Sequence, residues 1–345
     1  MSLSLRLFPY ELRLREPFRI SKGVRTVQPT VIVALSDGTH TGYGEASAIS
    51  YYGQSVARSQ RLLDELRPLV EAYTFVAPAH FYDYLRPHVA DTPFIGAALD
   101  VAAHDLHARR RGVPLRRLLV PATDRTGTVI PTSYTIGIDT PARMVAKLRA
   151  HPWPVYKLKL GTADDLDLVR HLRSATDRPF RVDANGAWTA TQTLAYAEAF
   201  RDLNVELIEQ PLPADDWVGM QQLAGRTPLP IIADESCQTE ADLDRCLRHF
   251  DGVNLKLSKC GGLTPLLRML TRTRAAGRLV MAGCMVESSV GIAPLAHLLP
   301  LLDFVDMDGP LLVDNDPATG IDFVEGQAVI GEQPGTGIVL EIIKY

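Results

Sequence analysis

Short apolar runs alternate with longer amphipathic stretches from about residue 131 to residue 310. The runs have the length of buried strands and the stretches between them have helical spacing, which is typical of βαβ units in a parallel sheet. The predicted strands are 132–136, 155–160, 180–183, 206–209, 230–234, 252–257, 279–283 and 304–306. These eight strands predict a closed α/β barrel of the TIM type.

An open, doubly wound sheet is the alternative to a closed barrel. Such a sheet often carries a Gly-x-Gly-x-x-Gly turn after its first strand. The nearest string here, Gly42-Tyr43-Gly44-Glu45, stops after two glycines. The pattern therefore favours the barrel.

The first 120 residues follow a different pattern. Strand-like alternation covers 3–15 and 31–35, and 94–111 has the apolar spacing of a helix. We place a domain boundary at 121–127, where the pattern changes. The predicted domains are an α+β unit over 1–122 and the barrel over 123–316.

The composition is that of an ordinary soluble globular protein, with 46% apolar and 22% charged residues. A net charge of −4 gives no support for a nucleic-acid partner, and no apolar run is long enough to span a membrane. The four cysteines, at 237, 246, 260 and 284, match no metal or redox spacing. We therefore expect a cytoplasmic protein with reduced thiols and a small-molecule partner.

Lysine is rare, with seven lysines in the chain, yet four of them fall in two short clusters. These are Lys157 with Lys159 and Lys256 with Lys259, each cluster at or just past a predicted strand end. Lysine can lose its proton when it is buried or crowded, whereas arginine keeps its proton. The clusters are therefore candidate bases; the alternative is chance against an arginine-rich background.

Charged residues end most of the predicted strands. Barrel enzymes place their catalytic groups at the carboxyl ends of strands, so these residues are expected at one mouth. Because alternate residues of a strand share a face, Lys157 and Lys159 both point inward, and Lys256 shares the face of Asn254. Lys259 lies on the opposite face, which favours Lys256 as the functional residue and gives Lys259 a supporting role.

Asp183, Glu209 and Asp234 end three consecutive strands. Three carboxylates without histidine or cysteine suit a hard divalent cation, Mg²⁺ before Mn²⁺, with one ion per subunit. The alternative is that each carboxylate pairs with a lysine or caps the following helix. Buried anions without a counter-charge are costly, so three of them crowded together favour the metal.

Lysines on both sides of a metal suggest proton abstraction next to a carboxylate, with Mg²⁺ stabilising an enediolate. Lys157 beside Lys159 adds repulsion between like charges. We expect this repulsion, together with burial, to lower the pKa of the base towards neutrality. A structural lattice of salt bridges is the alternative, but it does not explain cations on both flanks.

Five strings resemble the muconate-lactonizing subgroup of the enolase superfamily, over nearly the whole chain. They are 157–159 (KLK), 183–188 (DANGAW), 208–211 (IEQP), 234–236 (DES) and 254–262 (NLKLSKCGG). The resemblance implies a (β/α)₇β barrel and an α+β capping domain that is completed by residues 317–345. It also implies that Lys159 and Lys256 are the acid/base pair, that Asp183, Glu209 and Asp234 bind Mg²⁺, and that Asn185, Glu235 and Lys259 support them.

Asp306-Met307-Asp308, after the last strand, resembles the Asp-x-Asp motif of dipeptide epimerases. In those enzymes the two carboxylates hold the α-ammonium group of the dipeptide. A simple turn is the alternative, since Gly309-Pro310 follows directly.

Further substrate contacts are predicted on both sides of this motif. The loop 21–26 corresponds to the loop that contacts the substrate side chain, and Arg25 resembles the arginine that binds a glutamate carboxylate. Lys157 and Thr135 are candidate polar contacts, and the loop 51–53 is a candidate pocket wall.

The sequence thus predicts a Mg²⁺-dependent dipeptide epimerase that inverts the α-carbon of the second residue by 1,1-proton transfer. The first substrate expected is L-Ala-D/L-Glu from peptidoglycan turnover, and the protein is expected to be a homo-oligomer. The alternatives are an o-succinylbenzoate synthase, an N-acylamino acid racemase, a cycloisomerase or a non-catalytic binding barrel.

Overall fold

The computed structural model describes residues 2–20, 23–121 and 130–341. The strands, β1 to β15 in chain order, are Ser4–Ile20, Gly23–Ser36, Thr41–Ser47, Tyr134–Ile136, Tyr156–Lys159, Phe180–Asp183, Val205–Glu209, Ile231–Ala233, Gly252–Leu255, Leu279–Gly283, Phe304–Asp306, Ala318–Thr319, Ile321–Val324, Gln327–Ile330 and Val339–Leu340. The α-helices, α1 to α13, are Val56–Ala72, Pro78–Val89, Pro93–Arg110, Arg116–Leu119, Pro141–Ala150, Asp165–Arg173, Ala190–Asp202, Trp217–Leu223, Leu243–His249, Leu257–Cys260, Leu263–Ala275, Ser289–Ala296 and Gly309–Leu312.

Strands β4 to β11 form one parallel sheet in sequence order. Helices separate these strands along the chain, and an isolated parallel bridge between Thr132 and Val305 joins the first barrel strand to the eighth. The sheet is therefore a nearly closed (β/α)₇β barrel, and the predicted fold class is confirmed. Each observed strand overlaps its predicted range, because a buried parallel strand is an apolar run that turn residues interrupt.

The capping unit is a three-stranded antiparallel sheet, β1-β2-β3, with α1 and α3 packed against it and α2 packed against α3. The hairpin of β1 and β2 is longer than predicted: β1 reaches Ile20, whereas the sequence pattern ended at residue 15. Residues 13–20 are mostly polar or exposed, so their sequence carries no buried face. The hairpin thereby extends from the capping unit to the barrel mouth.

The hairpin meets the barrel at the loop after β4. The Ile138 backbone N–H donates to the Arg19 carbonyl at 2.9 Å. Gly137 allows this approach, because a Cβ atom at that position would lie 2.9 Å from the same carbonyl oxygen. The Arg13 carbonyl accepts from Asp314 N–H on the other side of the mouth. The hairpin therefore covers the edge of the barrel where the candidate groups converge.

Buried carboxylates fasten the capping unit to the rest of the chain. Glu45 of β3 accepts from the backbone N–H groups of Ser288 and Gly291 at the start of α12. Asp100 of α3 accepts from Thr264 N–H at the start of α11, at 2.8 Å. The N-termini of helices carry unpaired N–H groups, so these acids act as helix caps supplied by the other unit.

The C-terminal segment returns to the capping unit. Leu115 N–H donates to the Gly335 carbonyl at 2.7 Å, and Thr336 N–H donates to Asp105 of α3 at the same distance. Most of the boundary at 121–127 lies outside the described residues, as do residues 342–345, so the domain division remains a prediction. In the part of the chain that the structure describes, no helix has the length and apolarity to cross a bilayer.

Candidate active site

Three carboxylates meet at the mouth of the barrel. Asp183 and Glu209 end β6 and β7 and are paired in register, while Asp234 directly follows β8. All three are buried, and one oxygen atom from each lies within 4.8 Å of the others. The predicted convergence of these residues is therefore present in the structure.

This triad fits a magnesium ion. It offers only oxygen donors, which Mg²⁺ prefers, and Mn²⁺ is the nearest substitute. Glu209 Oε2 is buried, and a cation, the Lys157 ammonium group, already lies 2.7 Å from it. Burial and the Asp183 charge raise the pKa of Glu209 to about 7, so a cation that binds here displaces its proton.

The two candidate bases lie on opposite sides of the barrel, because β5 and β9 are its second and sixth strands. Lys159 Nζ donates to Asp183 at 2.6 Å, and Lys256 Nζ donates to Asp234 at 2.8 Å. Both lysines line a cavity of about 70 Å³ at the mouth. The two lysines therefore contact the triad from opposite sides.

Two opposing effects act on the pKa of Lys256. Burial alone would lower this pKa, but the Asp234 carboxylate holds it well above the usual lysine value.

Lys157 lies behind the cavity wall rather than on it. Its ammonium group is 2.7 Å from Glu209, 2.8 Å from Asp306 and 3.2 Å from Asp183. Burial acts to lower the pKa of Lys157, but these carboxylates hold it well above its usual value. Lys157 is therefore a fixed cation between the triad and Asp306, and direct contact with a substrate remains a prediction.

The predicted supporting residues contact the triad from outside. Lys259 is buried and donates to Asp234 Oδ1, as well as to the carbonyls of Asp234 at 2.6 Å and Cys237 at 3.1 Å. Asn185 N–H donates to Asp183 at 2.9 Å, and its side chain donates to Glu235 at 3.2 Å. Asn185 also lines the cavity.

Two uncharged residues that the sequence argument missed also orient the ligands. Gln210, with a positive φ of 34°, accepts from the N–H groups of Asp234 and Ser236 at 2.9 and 3.1 Å. Asn254 donates to Glu209 Oε1 at 2.9 Å. Both stand inside strings that carry the family resemblance, which was the available signal.

Asp306 and Asp308 lie at the far end of the cavity. Asp306 accepts from Ser133 Oγ at 2.7 Å, and Asp308 accepts from Thr135 N–H at 2.6 Å. Burial and the charge of Asp306 raise the pKa of Asp308 to about 7. A short helical turn does begin at Gly309, but both carboxylates are buried and line the cavity, which a simple turn does not require.

The capping hairpin forms the remaining wall. Phe18, Ile20 and Arg25 line the cavity together with Ile49 and Tyr51. The Arg25 guanidinium donates to Gln28 Oε1 at 2.6 Å and lies over the Tyr51 ring at 5.3 Å. Residues 21 and 22 of the predicted side-chain loop lie outside the described residues. This wall combines apolar groups with one cation.

Comparison with known families identifies this arrangement. Residues 3–119 match the mandelate racemase / muconate lactonizing enzyme N-terminal domain, and residues 140–342 match the enolase C-terminal domain-like family. The chain belongs to the enolase superfamily. The superfamily predicted from the five strings is therefore confirmed.

Among enolase-superfamily proteins, the chain is 43% identical to the L-Ala-D/L-amino acid epimerase of Maribacter sp., covering 99% of each chain. A substrate-liganded L-Ala-D/L-Glu epimerase from Bacillus subtilis superposes with a TM-score of 0.92 at 25% identity, covering 98% of this chain and 99% of that one. A dipeptide epimerase from Cytophaga hutchinsonii, complexed with Mg and D-Ala-L-Val, superposes with a TM-score of 0.93 at 27% identity, covering 100% of this chain and 97% of that one. The predicted isomerase class is confirmed by these relatives.

Proposed function

We propose that the protein is a Mg²⁺-dependent dipeptide epimerase that inverts the α-carbon of the second residue. The observation that carries the proposal is the buried pair Asp306 and Asp308, which lines the same cavity as the metal triad and both flanking lysines. An acidic pair attracts an α-ammonium group and repels a dicarboxylate. The substrate is therefore a molecule with a carboxylate at one end and an ammonium group at the other.

The residues have distinct tasks in this reaction. Asp183, Glu209 and Asp234 would hold Mg²⁺, which, when bound, would supply positive charge that stabilises the substrate carboxylate as the α-proton leaves. One flanking lysine, Lys159 or Lys256, removes that proton, and the other returns a proton to the opposite face. Because the lysines lie on opposite flanks, the returned proton inverts the configuration. Asp306 and Asp308 hold the substrate ammonium group.

The first substrate we propose is L-Ala-D/L-Glu. Arg25 places a guanidinium group on the capping wall of the cavity, where the side chain of the second residue is expected. A guanidinium group can bind a carboxylate with two parallel hydrogen bonds. The B. subtilis relative carries this substrate in its name, which supports the choice.

The other reactions of the subgroup fit the cavity less well. An o-succinylbenzoate synthase or a cycloisomerase acts on a dicarboxylate, and an N-acylamino acid racemase acts on a blocked amine. Neither type of substrate offers a cation to Asp306 and Asp308. A purely binding role has no use for two lysines beside a metal triad.

The test is α-proton exchange in D₂O with Mg²⁺. L-Ala-L-Glu should gain one deuterium, measured by mass spectrometry, and should form its epimer, while the matched N-acetyl-L-Ala-L-Glu should react far more slowly. Equal rates for the free and the acetylated dipeptide would show that the acidic pair holds no ammonium group.

The cellular setting is part of the same proposal. The four cysteines are free thiols, as is usual in a reducing compartment, so we place the enzyme in the cytoplasm. There it would act on dipeptides from peptidoglycan recycling. A homo-oligomeric state remains a prediction.

A further inference from the structure

The two candidate bases are followed by different kinds of chain. Lys256 leads directly into α10, and its carbonyl accepts from the Cys260 N–H of that helix at 2.9 Å. Lys159 ends β5, and a loop of residues 160–164 follows before α6 begins at Asp165. Helical hydrogen bonds therefore hold the segment after Lys256, whereas the segment after Lys159 needs another support.

The side chain of Asp165 provides that support. Asp165 is fully buried, and its Oδ1 atom accepts from the Thr162 N–H at 2.9 Å and from the Thr162 hydroxyl at 2.6 Å. Its Oδ2 atom accepts from the Gly161 N–H at 2.8 Å and from the indole N–H of Trp188 at 2.7 Å. Asp165 thus joins the loop after Lys159 to the segment that follows β6.

Trp188 is a fixed anchor for this carboxylate. It is buried, and its ring packs against Tyr196 and Phe200 of α7, with ring centroids 5.2 and 5.8 Å away. Its backbone N–H donates to the Pro211 carbonyl at 2.9 Å, in the segment after β7. A side chain that is locked by packing and hydrogen bonds holds its own partners in place.

The loop leaves the sheet within two residues of the base. Leu160 N–H still donates to the Asp183 carbonyl at 2.9 Å, as a continuation of the pairing between β5 and β6. Gly161 has a φ of 114°, a conformation that favours glycine, and the chain changes direction there. Asp165 binds the chain at this bend. Loss of its carboxylate would therefore free the strand end that carries Lys159.

We propose that Asp165 is a positioning residue for Lys159 and has no such role for Lys256. Asp165 lies outside the lining of the active-site cavity, so it acts through the loop and not on the substrate. A reacting group that is misplaced by about 1 Å can cost about 100-fold in rate. The inference rests on the proposed function, in which each lysine serves one face of the α-carbon. Loss of Asp165 should therefore impair proton transfer on one face only.

The test supplies the two epimers one at a time. L-Ala-L-Glu and L-Ala-D-Glu are each incubated with Asp165→Asn and saturating Mg²⁺ in D₂O. Early in the reaction, the starting epimer is separated from its product by chromatography, and its deuterium content is measured by mass spectrometry. Asparagine replaces one carboxylate oxygen by an amide NH₂ group, so two of the four donors lose their acceptor.

The expected loss is selective. Exchange should fall about 10- to 100-fold for the epimer whose α-proton faces Lys159, and it should stay within about twofold for the other epimer. Lys159→Ala, made in parallel, should spare the same epimer, which identifies the face that Lys256 serves.

A second variant and a control accompany Asp165→Asn. Trp188→Phe keeps an aromatic ring against α7 but removes the indole N–H, and it should give the same selective loss at a smaller size. Asp37→Asn is the matched control, because Asp37 also accepts from two loop N–H groups, those of Thr39 and His40. Asp37 follows β2 at the end opposite to Gly23, which lines the cavity, so both epimers should exchange normally.

Hydrogen exchange of the metal-free enzyme gives a readout that does not depend on activity. The amides of residues 160–164 should exchange faster in Asp165→Asn, while those of α10, after Lys256, should keep their protection. Partial unfolding would speed amide exchange in both segments and would slow deuterium uptake by both epimers. The selectivity therefore reports positioning and not stability.

An equal fall for both epimers, or no fall for either, would overturn the positioning role. A selective fall for the epimer that Lys159→Ala spares would overturn it as well. Failure of the proposed function looks different, because the wild type would then exchange neither epimer. If the wild type exchanges both epimers and Asp165→Asn is unselective, the epimerase remains and the role of Asp165 alone is wrong.

Discussion

The barrel mouth and the capping hairpin hold their cations in different ways. At the mouth, Lys157 lies within 3.2 Å of three carboxylates, and Lys259 donates to four oxygen atoms. On the hairpin, the described contacts of Arg25 are one hydrogen bond and one ring. Charged groups that stabilise a transition state work best when they are fixed in advance, whereas groups that select a side chain benefit from freedom. We therefore propose that the mouth carries out the chemistry and that the hairpin selects the substrate side chain.

The largest effect should come from changing a base at the mouth. Lys256→Ala should lower the epimerisation rate by about 10²- to 10⁴-fold, because proton transfer is lost on one face. Lys256→Arg should be equally impaired, since arginine keeps the charge but does not release its proton. Steady-state polarimetry measures both. Activity of either variant within a few-fold of the wild type would remove Lys256 from the mechanism.

A smaller effect is expected from Gln210, which contacts the backbone of the candidate metal ligand Asp234 rather than the substrate. Gln210→Leu removes the acceptor for the N–H groups of Asp234 and Ser236 and should weaken Mg²⁺ binding by about 10- to 100-fold. Isothermal titration with Mg²⁺, or Mn²⁺ electron paramagnetic resonance, measures this directly.

Gln192→Leu, at the start of α7, is the matched control and should bind the metal normally. Unchanged affinity in Gln210→Leu would mean that the barrel alone fixes Asp234.

The last effect is on stability rather than on activity, and it should appear where the capping unit meets the barrel. Burial and the neighbouring Glu287 raise the pKa of Glu45 from 4.5 to about 8. The folded state therefore binds a proton that the unfolded chain has released, and the free energy of unfolding falls as the pH rises from about 4.5 to 8. Glu45→Gln should flatten this fall, as chemical denaturation at pH 5 and pH 8 would show. Parallel pH dependence in both proteins would assign the effect to another group.

The sequence predicted the mouth better than the hairpin for a physical reason. Asp183 and Glu209 each end a short apolar run, and these runs recur at regular intervals along the chain. The local pattern therefore predicts that both residues lie at strand ends. The three partners of Lys157 come from β6, β7 and β11, and such pairings over long sequence distances leave no local trace. The hairpin extends to Ile20 through residues without a buried face, so no apolar pattern predicts this extension. Gln210 and Asn254 are uncharged, so a search for charged residues at strand ends does not find them.

The acids that join the capping unit to the barrel limit how this enzyme can be re-engineered. Glu45 accepts hydrogen bonds from backbone N–H groups at the start of α12, and Asp100 does the same for α11. A transplanted capping unit without matching acids would therefore leave backbone donors of two barrel helices unpaired. Whole-unit grafts between relatives should therefore fold poorly. Exchange of the hairpin tip alone leaves both junctions intact and is the practical route to new dipeptide preferences.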